Sequence, residues 1–391
     1  MNQATKEFIE KNANKDVKSL ALKKTSSKDI DLALAIRQIE GMQKVKNKIP
    51  TFFHCPTLFY PPKLSLEQSS SEITAKYKST HCKGTKIVDL TGGFGIDCFF
   101  LSGNFNESVY IEKQKELCDL AEHNFKQLGS KNIKIINTAA EDFLLTEFTS
   151  DWIYLDPARR KESGAKAVLL SDCEPNVAEL QEKLLEKAEN VMIKLSPMFD
   201  LSQLQRELKN IREIHIIAVE NECKEILVIL KRNYNESIQI KNVHFPKNKS
   251  QEVFEFTEDE EKKCVSNFAN DVKKYLYEPN AAILKSGAFK IIGEKHSFYK
   301  LHINSHLYNS DELKRNFQGR IFEVKETLIF NKENIRKLKI EKANISVRNF
   351  PLSVDELRKK LKIKEGGDKY IFATTLQNDK KVLLICTKVN L

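Results

Sequence analysis

Long apolar runs are missing from this 391-residue chain. None approaches the roughly 20 residues that a membrane span requires, and with 41% hydrophobic and 30% charged residues the composition is that of a soluble globular chain, so no membrane role is expected. The opening MNQATKEFIEKNANKD has no apolar core between a basic end and a cleavage site, so it does not read as a secretory signal, and a cytoplasmic protein is expected. The eight cysteines, Cys55, Cys82, Cys98, Cys118, Cys173, Cys223, Cys264 and Cys386, include no Cys-x-x-Cys pair. That argues against a zinc ribbon and against a disulfide framework, and most of them read as small buried hydrophobes. No internal repeat or long low-complexity tract occurs. The G-x-G-x-x-G fingerprint is absent and no P-loop lysine follows the glycines near residue 93, so NAD and ATP sites both fit poorly.

What is present divides along the chain. At roughly 150 residues per domain, the length predicts two or three units. The net charge of +10 is carried at the ends: residues 1–79 hold 14 Lys and Arg against 8 Asp and Glu (+6), residues 320–391 hold 17 against 9 (+8), and the middle is left at −4. Basic ends around an acidic centre suggest that the ends meet a polyanion, although a lysine-rich solvated surface gives the same count.

Residues 5–48 read as helical, with Ser27 as an N-cap, and TFFHCPTLFYPPKLS reads as a connector because prolines and aromatics break the helical pattern. From Lys86 the apolar runs KIVDL, SVYIE, IKIIN, DWIYLD, NVMIKLS and IHIIAV alternate with helical segments, the pattern of βαβ units on a parallel sheet. HIIAVE and EILVILKRN predict a hairpin through Asn221. Residues 233–319 are mixed. ISVRNF, SVDELRKKL with its Ser353 to Glu356 capping box, and the pair KYIFATTLQ and VLLICTKV predict a β-α-β-β unit. The boundaries expected are 1–79 helical, 80–232 α/β, 233–319 small mixed, and 320–391 β-α-β-β.

The first strand ends in VDLTGGFGID, where Gly92, Gly93 and Gly95 let the turn pass close to a ligand. Asp89 precedes them, and the second strand ends 23 residues later in Glu112. A carboxylate there can take both hydroxyls of a ribose, so a nucleoside ligand is expected. The fourth strand runs into YLDPARR, which places Asp156, Pro157, Arg159 and Arg160 at the same sheet edge. The guanidiniums suit phosphate or substrate, or pair with Glu162 or Asp172 to hold the loop.

These motifs resemble class I S-adenosylmethionine-dependent methyltransferases, whose first motif reads acid-x-Gly-x-Gly-x-Gly; here Thr91 stands at the first glycine. EQSSSEITAKYK, DPARRK, DCEP, KLSPMFD, YEPNAAILKSGAFK, LHINSHLY and RNFPLSVDELRKKLKIKEGG together resemble, over nearly the whole chain, a bacterial family of RNA methyltransferases with a ferredoxin-like segment and a C-terminal THUMP-like domain. The resemblance implies an α/β, Rossmann-like methyltransferase domain with an N-terminal helical region and small α+β C-terminal domains. It implies S-adenosyl-L-methionine as cofactor, with Asp89, Thr91, Gly92, Gly93 and Gly95 at its methionine end and Glu112 at its ribose. The adenine contact, which the family takes after a glycine where this chain has Thr138 and Ala139, passes to Glu141 or Asp142. THUMP domains present folded RNA, often tRNA, so an RNA partner, tRNA or rRNA, is implied.

Three reactions are open. Methylation of a base nitrogen would use Asp156 and the Pro157 carbonyl as acceptors, with Arg159 stacking on the base. Ribose 2′-oxygen methylation would need a base of lowered pKa and a set of Asp156, Lys194, Glu225 and either Lys76 or Lys78. Attack at a pyrimidine carbon would need a thiolate, for which Cys173 is nearest in sequence. Nitrogen is favoured, and Asp156, Pro157, Arg159 and Lys194 are the catalytic candidates. A catalytically inactive RNA-binding factor in tRNA or ribosome maturation is the alternative. His302 and His306 lack further partners for a metal, so none is expected.

Overall fold

Among the described residues six helices precede the first strand: α1 (Gln3–Asn12), α2 (Val17–Ala21), α3 (Leu32–Lys48), α4 (Pro50–Phe53), α5 (Lys63–Gln68) and α6 (Glu72–Ser79). The computed structural model describes residues 1–22, 29–159, 169–269 and 271–390. The stretch read as helical over 5–48 is three helices, each started by a side chain that accepts a first-turn N–H: Asn2 from Thr5, Asp16 from Ser19 and Asp31 from Leu34. Ser27 lies outside the described residues. The connector reading is corrected. Residues 51–65 contain parts of α4 and α5, and Phe52, Leu58 and Tyr60 are buried in one core with Phe94 and Ile96. Phe52 meets Phe94 and Phe99 edge-on at 5.5 Å. The aromatics that break the helical pattern are thus the packing surface that receives the turn after β1.

By its packing the chain divides into two compact units, Met1–Ile211 with Val228–Asn235, and Arg212–Leu227 with Glu236–Leu391. The first carries β1 (Gly84–Asp89), α7 (Ile96–Ser102), β2 (Phe105–Glu112), α8 (Lys115–Gln127), β3 (Ile133–Asn137), α9 (Ala140–Phe143), β4 (Ser150–Leu155), β5 (Ala158–Arg159), β6 (Cys173–Glu174), α10 (Val177–Lys187), β7 (Ala188–Leu195) and α11 (Leu201–Glu207). Its strands lie in the order β7-β4-β1-β2-β3, every neighbouring pair parallel. Helices on the sheet faces bury the strands on both sides, which is why they read as apolar runs rather than alternations. The order reverses between β1 and β4, so a crevice opens beyond their carboxyl ends.

β8 (Ile211–Val219) and β9 (Glu222–Lys231) are neighbours in the sheet, and the second unit takes β8 from Arg212 and β9 as far as Leu227. Glu220 and Asn221 join them with φ of 50° and 64°, the left-handed pair that a two-residue type I′ hairpin turn needs. β10 (Gln239–Phe245) runs parallel to β8 and β11 (Glu252–Thr257) antiparallel to β10, followed by α12 (Glu258–Lys263). A seven-stranded sheet follows, built from β12 (Tyr275–Pro279), β13 (Tyr299–Lys300), β14 (Tyr308–Ser310), β15 (Gly319–Ile329), β16 (Asn344–Arg348), β17 (Lys369–Thr375) and β18 (Lys381–Lys388), with α13 (Ala281–Ser286), α14 (Ile291–His296), α15 (Lys332–Lys337) and α16 (Val354–Leu361). Its order is β13-β14-β12-β15-β18-β17-β16. β16, α16, β17 and β18 form the expected β-α-β-β unit, and the Ser353 to Glu356 capping box closes in both directions. Among the described residues no helix is long and apolar enough to cross a membrane.

Candidate functional site at the sheet crevice

After Leu90 the chain bends through Thr91–Gly95 into α7. A Cβ on Gly92 would sit 2.2 Å from Tyr110 Cε2, and one on Gly95, where φ is 85°, would sit 2.7 Å from Phe125 Cζ. Both rings are locked in the core between β2, α7 and α8, so the bend tolerates no side chain at either position. The Tyr110 hydroxyl donates to Gly93 O at 2.6 Å. From the end of β2 the Glu112 carboxylate reaches the same bend: Gly93 N–H donates to Oε2 at 3.0 Å and Gln114 N–H to Oε1 at 2.8 Å.

Asp89 is 2% exposed. Thr91 N–H donates to its Oδ1 at 2.9 Å, while Oδ2 is buried with no hydrogen-bond partner among the described residues. Burial pushes the carboxyl well above its usual range; the Thr91 N–H opposes this, and the neighbouring Asp97, Asp156 and Glu112 charges add to it. A buried polar atom left unpaired in a crevice asks for an explanation, and a cationic donor from a ligand would supply one.

Thr91 does work that glycine cannot. Its Oγ1 accepts the Asp156 N–H at 2.6 Å, tying the end of β4 to the end of β1. The Asp156 carboxylate in turn pairs through Oδ2 with Lys194 Nζ near the end of β7. The structure therefore brings together Asp89, Thr91, Gly93, Glu112, Asp156 and Lys194. Pro157 is buried beside them. Arg159 is exposed on β5, where it lies opposite Cys173 of β6, and its Nη1 lies 4.0 Å from Met198 Sδ. Arg160 and Glu162 lie outside the described residues. Asp172 accepts the Leu169 N–H at 3.1 Å. Glu141 and Asp142 are exposed in the first turn of α9, where Glu141 acts on the charge of Lys113. Cys173 is 1% exposed, and its Sγ lies 3.9 Å from Leu169 O.

Sequence reasoning missed the support beneath the bend. Lys78, fully buried on α6, pairs with Asp97 Oδ1 at 3.1 Å and donates to Ser70 Oγ at 3.0 Å. Asp97 Oδ2 accepts from Ser70 Oγ and from the Tyr154 hydroxyl, both at 2.7 Å. Burial alone would raise the Asp97 carboxyl, but the Lys78 and Lys194 ammoniums outweigh it and hold it below its usual range. Tyr154 stands two residues before Asp156, so the N-terminal helices brace the crevice from below. Lys78 was flagged in the sequence for the ribose set; instead it is buried against Asp97, and Lys76 pairs with Glu72 at 2.5 Å. Lys48 donates to the Leu66 and Glu67 carbonyls. Burial first, then the Lys194 and Lys44 ammoniums, lower it to about 8. No spacing in the sequence marks Lys48. Glu225 is buried on β9.

Residues 319–388 match a THUMP domain-like family and residues 275–317 a ferredoxin-like domain family. The crystal structure of a proposed methyltransferase from Porphyromonas gingivalis W83 is 35% identical, with 99% of this chain and 98% of that one covered at a TM-score of 0.90. The chain belongs to that family. Family membership extends through the N-terminal helices and the α/β block as well as both matched segments, since the coverage is nearly complete on both sides. M. capricolum TrmK in complex with S-adenosyl-homocysteine (14% identity, 41% of this chain and 68% of that one, TM-score 0.32) and a proposed Streptococcus mutans methyltransferase in complex with the same compound (15%, 41% and 96%, 0.31) are likenesses too slight to carry an argument. The search among curated proteins gives no match.

Proposed function

We propose that the protein is an S-adenosylmethionine-dependent methyltransferase acting on RNA, tRNA or rRNA, in the cytoplasm, at a base nitrogen in preference to a ribose 2′-oxygen. The observation that carries this reading is the crevice geometry: the Glu112 carboxylate and the unpartnered Asp89 Oδ2 flank one glycine bend, and Thr91 ties that bend to Asp156. The residues suit the cofactor. Each Glu112 oxygen accepts one N–H and keeps lone pairs for ribose hydroxyls. Asp89 Oδ2 suits the ammonium of the amino-acid end, and the side-chain-free bend allows close approach, while Glu141 or Asp142 serves the adenine edge. When bound, the cofactor supplies an electrophilic methyl group.

Lys194 holds Asp156 Oδ2 and leaves Oδ1 to accept from a target amine, with Pro157 shaping the floor and Arg159 exposed for a base or phosphate. The ribose reading draws on that same contact, since Asp156 and Lys194 are two members of its set; Lys76 and Lys78, held by Glu72 and Asp97, weaken it. For RNA, the THUMP domain-like match and the +8 charge of residues 320–391 are the support. In this reading residues 1–79 brace the crevice, 80–232 catalyse, and 233–319 and 320–391 handle RNA.

Calorimetric titration with S-adenosylmethionine, then tritiated-methyl transfer to RNA from a strain lacking the gene, tests the proposal. Binding, with transfer abolished by Asp156→Ala at nearly unchanged cofactor affinity, is the expected result. No heat and no rise in Tm would leave an inactive RNA-binding factor.

A further inference from the structure

Two arginines of the second unit converge on one buried carboxylate. Glu278, 3% exposed on β12, accepts from Arg320 Nε at 2.7 Å and from its Nη2 through Oε2, while Oε1 accepts from Arg348 Nη2 at 2.9 Å. Arg320 is its direct partner on β15. Arg348 ends β16, at the far edge of the same sheet, so the ion pairs join residues that sheet order separates by three strands. The two arginine side chains remain 37% and 39% exposed. Each has further N–H donors, because a guanidinium carries five, more than the remaining lone pair of Glu278 Oε1 can take.

A third cation acts with Arg348 on His306. Lys300 is 4% exposed, donates to Ile303 O at 2.8 Å and lies 5.4 Å from the centroid of the Phe289 ring; among the described residues it has no ion-pair partner. On that ring His306 stacks at 3.6 Å. His306 adopts φ 51°, a left-handed conformation rare for a non-glycine residue, and its Nδ1 is buried without a partner. Burial, then the Lys300 and Arg348 charges, push the ring down to about 4, so it adds no cation of its own at neutral pH. Asn349, next to Arg348 and also left-handed at φ 51°, meets His302 Nδ1 at 2.9 Å. Two arginines thus share the Glu278 carboxylate, while Lys300, whose charge Glu261 supports, acts with Arg348 on the same His306 ring. Strained backbone held in such a place points to a function.

We propose that Arg320 and Arg348, aimed by Glu278 and backed by Lys300, form a phosphate-binding site for the backbone of the RNA substrate. This rests on the RNA reading above. The paired forks match phosphate geometry, and a phosphate supplies the negative charge that Glu278 alone does not.

The test compares wild type with Arg320→Gln and Arg348→Gln, each of which leaves Glu278 one arginine. Anisotropy titrations with labelled tRNA over a salt series read RNA binding, and melting with and without inorganic phosphate reads the bare anion. S-adenosylmethionine titration checks the crevice. The expected result is RNA affinity lowered about tenfold per substitution, with the log–log salt slope shallower by about one and cofactor affinity unchanged. If wild type binds RNA and both variants bind it equally well, with or without a fall in Tm, the arginines are a staple and the proposal is overturned while the RNA reading stands. If wild type binds no RNA, that reading fails, and the phosphate arm decides: protection by phosphate that both variants lose upholds an anion site for a free phosphate, and no protection overturns it.

Discussion

Replacing Asp89 by asparagine separates what stabilises this fold from what its crevice is for. The wild-type carboxyl is buried, keeps one hydrogen bond from the Thr91 N–H, and faces three other carboxylates. Asparagine keeps the acceptor that Thr91 uses and removes the titrating group. Because the folded carboxyl holds its proton more tightly than the unfolded chain, whose value is about 3.9, the stability it contributes is full below that pH. It is lost as pH rises through the raised folded value. The slope of that loss is at most about 1.4 kcal/mol per pH unit, so between pH 5 and pH 7 Asp89→Asn should gain on wild type by up to about 3 kcal/mol. For a unit of this size that is a rise in Tm of up to about 6–12 °C. Cofactor affinity should move the other way. Losing a charge-assisted partner for the ligand ammonium costs about 1.5–3 kcal/mol, or roughly 10- to 100-fold in Kd. Wild-type binding should tighten as pH rises and should release a proton, seen by calorimetry in buffers of different ionisation enthalpy. Scanning calorimetry from pH 5 to pH 8, with and without S-adenosylmethionine, reads both effects. A variant no more stable than wild type at any pH, or one that binds the cofactor equally well, would refute the role given to Asp89.

Thr91→Val keeps the shape and removes the acceptor for the Asp156 N–H, so a loss of about 1–3 kcal/mol and a kcat that falls more than cofactor affinity are expected from melting curves and methyl-transfer kinetics. Lys78→Met strands a buried Asp97 charge and should destabilise by about 3–5 kcal/mol in denaturant titrations; adding Asp97→Asn should recover a large part of it. Since Asp97 is held below its usual range in wild type, its stabilisation is present above about pH 4 and is lost as pH falls through the lowered value, so the deficit of the single variant should shrink in acid. Gly92→Ala drives a Cβ into the Tyr110 ring and should abolish cofactor heat in calorimetry while circular dichroism stays near wild type.

How legible each part was follows from the range of the forces involved. The parallel strands and the glycine bend were readable because burial on both faces and close backbone approach leave local marks, apolar runs and clustered glycines, within ten residues. Glu112 was found from the length of one βαβ turn. Phe52 and Tyr60 were misread because proline and aromatics look like a connector locally, and only Phe94 and Ile96, some forty residues on, make them core. Lys78 with Asp97, and Glu278 with Arg320 and Arg348, pair groups 19 to 70 residues apart, and charge pairing over such separations has no period to detect. Thr91 shows the limit most directly. In a one-dimensional motif it is a departure from glycine and counts against activity; in three dimensions its hydroxyl receives the backbone N–H of Asp156, 65 residues away. A glycine there would free the bend and leave that donor unpaired, so the departure argues for a crevice whose two halves are held in register.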